Sequence, residues 1–383
     1  MTFKRFIFWS HLTAGVLSGI IVFILSLTGV ILMYEHQMEA AAEKDFYVTP
    51  EPGQTLLSAD ELAAQVLTDI GEGANLKFRN DEGAPIEITQ GRGNRWLMNP
   101  YTGELMGPGA TGMRDFFGWM MRFHRWFALE GEGRDTARAI INAANLMFLF
   151  IIISGLYIWL PKIWRWPFFK KNLVFGRNLP NAKARDYNWH HVLGFWSLIP
   201  LFFIIISGSV FYYPWANNAV YAVFGEQPPQ RGSSSAPTYE VQVAPGDMIS
   251  LQAALDTAKN FDDDWNTIDM PVDPQNPVIE FTVDTGTGVQ PSKQTDVFVS
   301  RADSSILGTF AFGDNSPGRQ ARSFMRRIHT GEYYGFIGQT IFGLASLAAC
   351  FLVYTGLALA YRRLLQPVFR RRKANNQVNI KKP

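Results

Sequence analysis

Six histidines are the side chains of this 383-residue sequence whose type and spacing point most directly to metal chemistry. His11, His36, His124, His190, His191 and His329 all lie beside long apolar runs, where an imidazole is costly to place and needs a partner. Four of them form two matched pairs. His11 in "HLTAG" and His190 in "HHVLG" each open an apolar run, and His124 in "MMRFHRWF" and His329 in "FMRRIHTG" each precede a later one. Pair members at equal depth can face one another. Two facing imidazoles suit an iron porphyrin held through both axial positions. Zinc or a di-iron centre would ask for Cys or carboxylate ligands as well, and the runs supply no carboxylate and one thiol. The expected ligands are therefore His11 with His190 and His124 with His329, holding two b-type haems. Attachment would be non-covalent, since one cysteine cannot make a CxxCH site.

The neighbours of these histidines have two readings each. Arg122, Arg125, Arg326 and Arg327 flank the second pair and either bind haem propionates or are interfacial charges. Four Ser/Thr–Gly steps, Thr28-Gly29, Ser154-Gly155, Ser207-Gly208 and Thr355-Gly356, lie near the ends of the runs. Gly29, Gly155, Gly208 and Gly356 would let a flat macrocycle, or a neighbouring helix, approach the backbone. Gly15 and Gly194, four residues past His11 and His190, would serve the same end. His36 has no mate, because Trp215 stands at its repeat position. It reads as a snorkelling polar group. His191 points about 100° away from His190 on a helix and is either a supporting residue or an alternative ligand. Cys350 reads as a small packing residue.

The elements that must position these residues are mostly membrane helices. Residues 12–34, 139–161, 192–213 and 335–361 contain no Asp, Glu, Lys or Arg, and each matches the ~20 residues that cross a hydrocarbon core. Loop 162–186 has seven Lys/Arg and one acid, and the tail after Tyr361 has eight basic residues. By contrast, 37–135 has nine basic against sixteen acidic residues, and 217–334 has eight against fifteen. Basic flanks stay cytoplasmic, so both termini are expected inside and both long loops in the periplasm of a bacterial inner membrane. The domain plan is helix 1 (1–36), module 1 with an interfacial helix (37–135), helix 2 (136–161), a cytoplasmic loop (162–187), helix 3 (188–214), module 2 (215–334), helix 4 (335–361) and a tail (362–383).

The halves repeat. "SLTGV" (26–30) overlays "IISGS" (205–209), Tyr34 overlays Tyr213, and "ISGLYIW" (153–159) matches "YTGLALA" (354–360). A parallel repeat of this kind implies a pseudo-two-fold axis along the membrane normal. Each long loop reads as a small α+β module. "SADELAAQVLTDI" (58–70) and "SLQAALDTAKNF" (250–261) are helices with Ser at the N-cap. "PIEITQ", "RWLMN", "VIEFTVD" and "DVFVSRADSSILG" are strand-like, and "NPYTGELMG" (99–107) closes a hairpin. The Pro/Ser-rich stretch 227–237 is a linker, and 113–129 is an amphipathic interfacial helix.

"NPYTGELMG", "FHRWFALEGEGR" (123–134), "SGLYIWLPK" (154–162) and "RRIHTGEYYG" (326–335) resemble the PepSY-associated transmembrane helix family. The four-helix, two-module plan is similar to the FoxB-type inner-membrane siderophore reductases. That resemblance implies a membrane α-helical fold with two periplasmic PepSY-like modules. It also implies a substrate, a Fe(III)–siderophore, with the hydroxamate type expected. The electron donor would be a quinol or a cytoplasmic reductase. Trp119, Trp126, Tyr333 and Tyr334 are candidates for substrate contact, and no catalytic carboxylate is nominated. Two other readings stay open: a non-enzymatic PepSY sensor or protease regulator, and a quinol-dependent cytochrome serving another periplasmic acceptor. No Walker A segment or GxGxxG stands in the required context. The juxtamembrane basic clusters suit topology and anionic lipid rather than nucleic acid.

Overall fold

A computed structural model describes residues 2–91, 93–230 and 232–369. The part of the basic tail from Arg370 onward lies outside the described residues. In chain order the helices are α1 (Phe3–Leu32), α2 (Glu35–Glu43), α3 (Ala59–Asp69), α4 (Thr111–Trp126), α5 (Gly131–Trp159) and α6 (Trp166–Leu173). They continue with α7 (Ala182–Trp196), α8 (Leu198–Tyr212), α9 (Pro214–Ala222), α10 (Leu251–Lys259), α11 (Pro317–His329) and α12 (Gly335–Leu364). The strands are β1 (Ala74–Arg79), β2 (Ile86–Gln90), β3 (Asn94–Met98), β4 (Leu105–Gly107), β5 (Thr267–Pro271), β6 (Val278–Asp284), β7 (Gln294–Ser300) and β8 (Ile306–Ala311). They divide between two compact units, one of Met1–Tyr34, Phe117–Ala219 and Ile328–Pro383, the other of Glu35–Phe116 and Val220–Arg327.

The first unit is a helical bundle. Segments Phe3–Phe46, Gly131–Trp159 and Glu332–Phe369 are long and apolar enough to cross a membrane, and α7 with α8 pass the same test as a pair bent by 66°. An unbroken third span was expected here. Pro200 explains the break: it has no N–H to give the carbonyl of Trp196, and its ring clashes with that carbonyl. Ser197 sits at the corner and caps α7, donating both its N–H (3.0 Å) and its Oγ–H (2.7 Å) to the Leu193 carbonyl. Inside the bundle, α1 packs against α5 and α12, and α5 against α8. Gly19 faces Leu357 and Val353 on α12, where a Cβ would make ordinary contacts at 3.5 and 3.6 Å. Ile152, Leu201, Ile205, Ala345 and Ala349 form the apolar centre, while Ile20 and Ile199 are 69% and 68% exposed. Such outward apolar faces are what a bilayer solvates. Asp186 is fully buried and accepts from Arg185 Nε (3.0 Å) and from Arg362, tying α7 to α12.

The second unit is built on one antiparallel sheet of order β4-β3-β2-β1-β5-β6-β7-β8. The sequence suggests two separate modules. They are joined where β1 pairs with β5, Leu76 opposite Met270 and Phe78 opposite Ile268. An unpaired edge is a liability, and this pairing removes one from each module. Leu76, Ile88, Ile268, Phe281 and Val297 point to one face and bury against α3 and α10. These two helices cap each other. Asp60 on α3 accepts the N–H groups of Leu251 and Gln252 (2.8 and 2.9 Å), and Gln252 on α10 accepts the N–H of Ala59 (2.8 Å). Ser58 and Ser250 are the N-caps, as the sequence suggests, and Ser58 forms a capping box with Glu61. "NPYTGELMG" does close a hairpin, with Asn99 Oδ1 accepting from Tyr101 N–H and Gly103 at φ +73°. No helix or strand falls among the described residues of 227–237.

Glu87 lies at the centre of an ion cluster in this unit, bonded by Arg95 (2.8 Å) and Arg79 (3.0 Å), with Glu43 also paired to Arg95. Burial pushes the Glu87 carboxyl up, but the hydrogen bond and charge of Arg95 win and hold it at about 2.

Candidate functional site

Each of the four paired histidines is held by its Nδ1 to a hydroxyl on a different helix. His11 on α1 meets Ser154 Oγ on α5 at 2.9 Å, and His190 on α7 meets Thr355 Oγ1 on α12 at 3.0 Å. His124 on α4 meets Thr28 Oγ1 on α1 at 2.7 Å, and His329 on α11 meets Ser207 Oγ on α8 at 2.9 Å. Under the sequence repeat the first contact maps onto the second and the third onto the fourth.

The proton inventory fixes the direction of these bonds. A hydroxyl carries one proton. Ser154, Thr28, Ser207 and Thr355 all direct it to the carbonyl four residues back, that of Phe150 (2.6 Å), Ile24 (2.7 Å), Phe203 (2.5 Å) and Phe351 (2.8 Å). The hydroxyl can then only accept from the imidazole, so Nδ1 is the protonated nitrogen. Its second contact agrees in His329, whose Nδ1 lies 2.9 Å from the Ile204 carbonyl, an acceptor only. Nε2 is left as the bare lone pair, the state in which imidazole binds a metal. Among the described residues no Nε2 of the four has a hydrogen-bond partner, and none is sealed within protein.

The four glycines of the Ser/Thr–Gly steps lie beside the imidazole edges. A Cβ on Gly155 would stand 3.2 Å from His11 Cε1, one on Gly356 3.3 Å from His190 Cε1, and one on Gly208 3.5 Å from His329 Cε1. Gly29 is looser, at 3.9 Å from His124 Cε1. At Gly155 and Gly356 the glycine makes room for the ring edge that the hydroxyl orients, whereas at Gly208 and Gly29 a Cβ would make only an ordinary contact. At Gly15 a Cβ would meet nothing within 4 Å, and at Gly194 it would meet Leu352 at 3.7 Å.

His190 lies within electrostatic reach of His11, and His124 of His329, while His191 is within reach of both His11 and His190. Among the described residues no group of three or more His, Cys, Asp or Glu is arranged to hold a metal ion alone. A donor set of two neutral nitrogens per site fits a metal already held in a planar macrocycle and short of two axial ligands. The same set would leave zinc underligated.

The remaining candidates fall elsewhere. His191 bonds the Tyr187 carbonyl of its own helix (2.9 Å) and packs on the Tyr187 ring, without a hydroxyl from a second helix. His36 lies on α2 in the other unit, within electrostatic reach of Glu39. Arg122 and Arg125 share α4 with His124, and the Arg125 guanidinium lies 5.1 Å over the Trp126 ring. Arg326 and Arg327 share α11 with His329 and line a cavity of the second unit. Trp119 stacks on Phe123 at 5.2 Å, and Tyr333 meets Tyr334 edge-on at 5.1 Å. Cys350 is a buried free thiol on α12.

The sequence pattern of the PepSY-associated TM region family matches residues 8–373. The chain belongs to that family. All four anchored histidines and their four hydroxyls fall inside the matched span, and the long apolar helices make this member a membrane protein. A comparison with curated proteins finds no match.

Proposed function

We propose that the chain is a bacterial inner-membrane reductase that binds two b-type haems and reduces Fe(III)–siderophores in the periplasm, releasing Fe(II). The observation carrying this reading is the anchored imidazole, repeated four times with Nδ1 on a hydroxyl of another helix and Nε2 without a partner among the described residues. In the proposed topology α7 and α8 together make one of four spans, both termini are cytoplasmic and both long loops are periplasmic. Bound between two imidazoles, haem iron supplies reversible one-electron transfer without taking up a substrate atom.

The chain's own residues have definite work in this scheme. His11 and His190 hold one group toward the cytoplasmic side, and His124 and His329 the other toward the periplasm. Ser154, Thr355, Thr28 and Ser207 keep each ligand in one tautomer and one rotation, so that its Nε2 does not have to be reoriented. Each substrate iron takes one electron, drawn from a quinol or a cytoplasmic reductase. Fe(II) is a softer ion than Fe(III) and is held less tightly by the hard oxygen donors of a siderophore.

Pyridine haemochrome analysis of the purified protein tests the reading, with about two haems per chain expected from two ligand pairs. A colourless, well-folded preparation from haem-replete cells would favour the sensor or protease-regulator reading instead. Two haems with no reoxidation by any ferric siderophore would leave a cytochrome with another periplasmic acceptor.

A further inference from the structure

Asn145 stands on α5 inside the apolar run 139–161, where an amide is costly unless its protons are taken. One turn of α8 takes both. Asn145 Nδ2 donates to the Ile205 carbonyl (2.9 Å) and to Ser209 Oγ (3.0 Å). A carbonyl can only accept, which puts the nitrogen, and not Oδ1, on that side of the amide. Ser209 sends its own proton to the same carbonyl (3.1 Å), so its Oγ accepts from Asn145.

That turn also carries the partners of His329. Ser207 Oγ and the Ile204 carbonyl both meet His329 Nδ1 at 2.9 Å. The amide and the ring reach the same glycine, since a Cβ on Gly208 would stand 3.5 Å from Asn145 Nδ2 and 3.5 Å from His329 Cε1. Among the described residues Asn145 makes no hydrogen bond to the ring itself. It acts on the helix that holds the ring.

The other half shows why an amide is needed here. The repeat register that lays Ser154 on Thr355 lays Asn145 on Ser346. Ser346 keeps the place, because a Cβ on Gly29 would stand 3.9 Å from its Oγ, but it makes no hydrogen bond to α1 among the described residues. The difference follows the two helices. Thr28, the partner of His124, sits on α1, which runs unbroken for 30 residues. Ser207 sits on α8, whose 15 residues begin at the 66° corner. A continuous helix takes its rotation from the turns before it. A helix that starts after a break does not, and a bond from a neighbouring helix has to set it.

We infer that Asn145 is a positioning residue for His329: it fixes the rotation of α8 about its axis, and with it the plane of the His329 imidazole. The inference rests on the reductase reading only for what Nε2 of His329 binds. There the angle between the planes of two axial imidazoles sets the g-values of a low-spin ferric haem, so the brace has a spectroscopic signature.

Two readouts on the full chain in detergent keep the brace and the haem apart. In haem-free protein, deuterium exchange at Cε1 of each histidine is followed by mass spectrometry. Asn145→Leu, which keeps the volume and loses both donors, should speed exchange at His329 several-fold and leave His11, His124 and His190 at their wild-type rates. Ser209→Ala, which removes one of the two acceptors, should fall between, and carries the same test should Asn145→Leu fail to fold. Asn145→Gln, which keeps both donors, should lie nearer wild type, and Ser346→Ala should change no histidine. In haem-loaded protein, the low-spin EPR signal that His329→Ala removes should shift in Asn145→Leu, while the other stays. Unchanged exchange at His329, or an unshifted signal, overturns the inference. An equal rise at all four histidines overturns it too, by making Asn145 a general packing contact. A haem-loaded protein in which His329 does not respond loses only the brace. A protein that takes up no haem, but in which His329 alone responds, loses only the reductase reading.

Discussion

The tautomer is the residue-scale fact with most consequence. In water either imidazole nitrogen can carry the proton, so part of the population would offer the other atom to a metal. Here a helix carbonyl takes the hydroxyl proton, the hydroxyl takes Nδ1–H, and Nε2 has a single role. Removing such a supporting partner typically costs 10–100-fold in metal affinity. Ser154→Ala and Thr355→Val should therefore weaken one haem by roughly that factor, and Thr28→Val and Ser207→Ala the other. Haem titration of the apoprotein, followed at the Soret band, reads this directly. His36→Ala should leave both affinities unchanged, because His36 lies on α2 in the other unit and Trp215 stands at its repeat position. Equal affinity in wild type and all four hydroxyl variants would reduce these hydroxyls to packing contacts. The sequence repeat alone pairs the four histidines, overlaying His11 on His190 and bringing His124 into line with His329. The four hydroxyls stand in the Ser/Thr–Gly steps, but their link to the histidines was not legible. Spacing along a helix says which residues share a face, not which neighbouring helix that face meets, so Ser154 could not be connected to His11 before the fold was known.

At the scale of elements, membrane helices and module helices were legible for the same reason, long runs with one period. The exceptions are instructive. "ANLKFR" (74–79) and "TIDMP" (267–271) both alternate apolar and polar residues, yet they are short, and nothing in a period of two names a partner about 190 positions away in the chain. Asp186 entered the sequence reading only as the lone acid of a basic loop, whereas the fold makes it the clamp between α7 and α12. Asp186→Asn should lower stability by about 1–3 kcal/mol, because the partnered arginines lose a charged acceptor but keep some access to water. Thermal unfolding in detergent measures it, and an unchanged midpoint would remove the clamp. The ion cluster of the second unit gives a pH signature. Glu87 is held at about 2 against an ordinary 4.5, so its contribution is fully present above about 4.5 and fades as pH falls toward 2. About 3 kcal/mol is at stake. Asp269, which burial pushes up, works the other way and blunts the loss. Glu87→Gln should flatten the acid limb of the stability curve; an unaltered limb would assign it to other carboxylates.

For the molecule as a whole, the proposed function makes the two histidine pairs separate stations, whose roles are separable by mutation. The cytoplasmic-side pair is His11 with His190 in the proposed topology, and the periplasmic-side pair His124 with His329. His11→Ala should abolish steady Fe(III)–siderophore reduction driven by a quinol or cytoplasmic reductase, since electrons then have no entry. The same variant, reduced beforehand with dithionite and freed of excess reductant, should still yield a burst of Fe(II) in a ferrozine trap. That burst should approach about one iron per chain, because one ligand pair with one-electron capacity survives. Wild type treated identically should give about two. His329→Ala should give no burst and no turnover, since the surviving pair faces the donor side. The outcomes are asymmetric only if the stations act in series. Equal bursts from His11→Ala and His329→Ala would mean that both pairs reach the siderophore independently, and the order of electron flow proposed here would have to be given up while the ligand assignment stood.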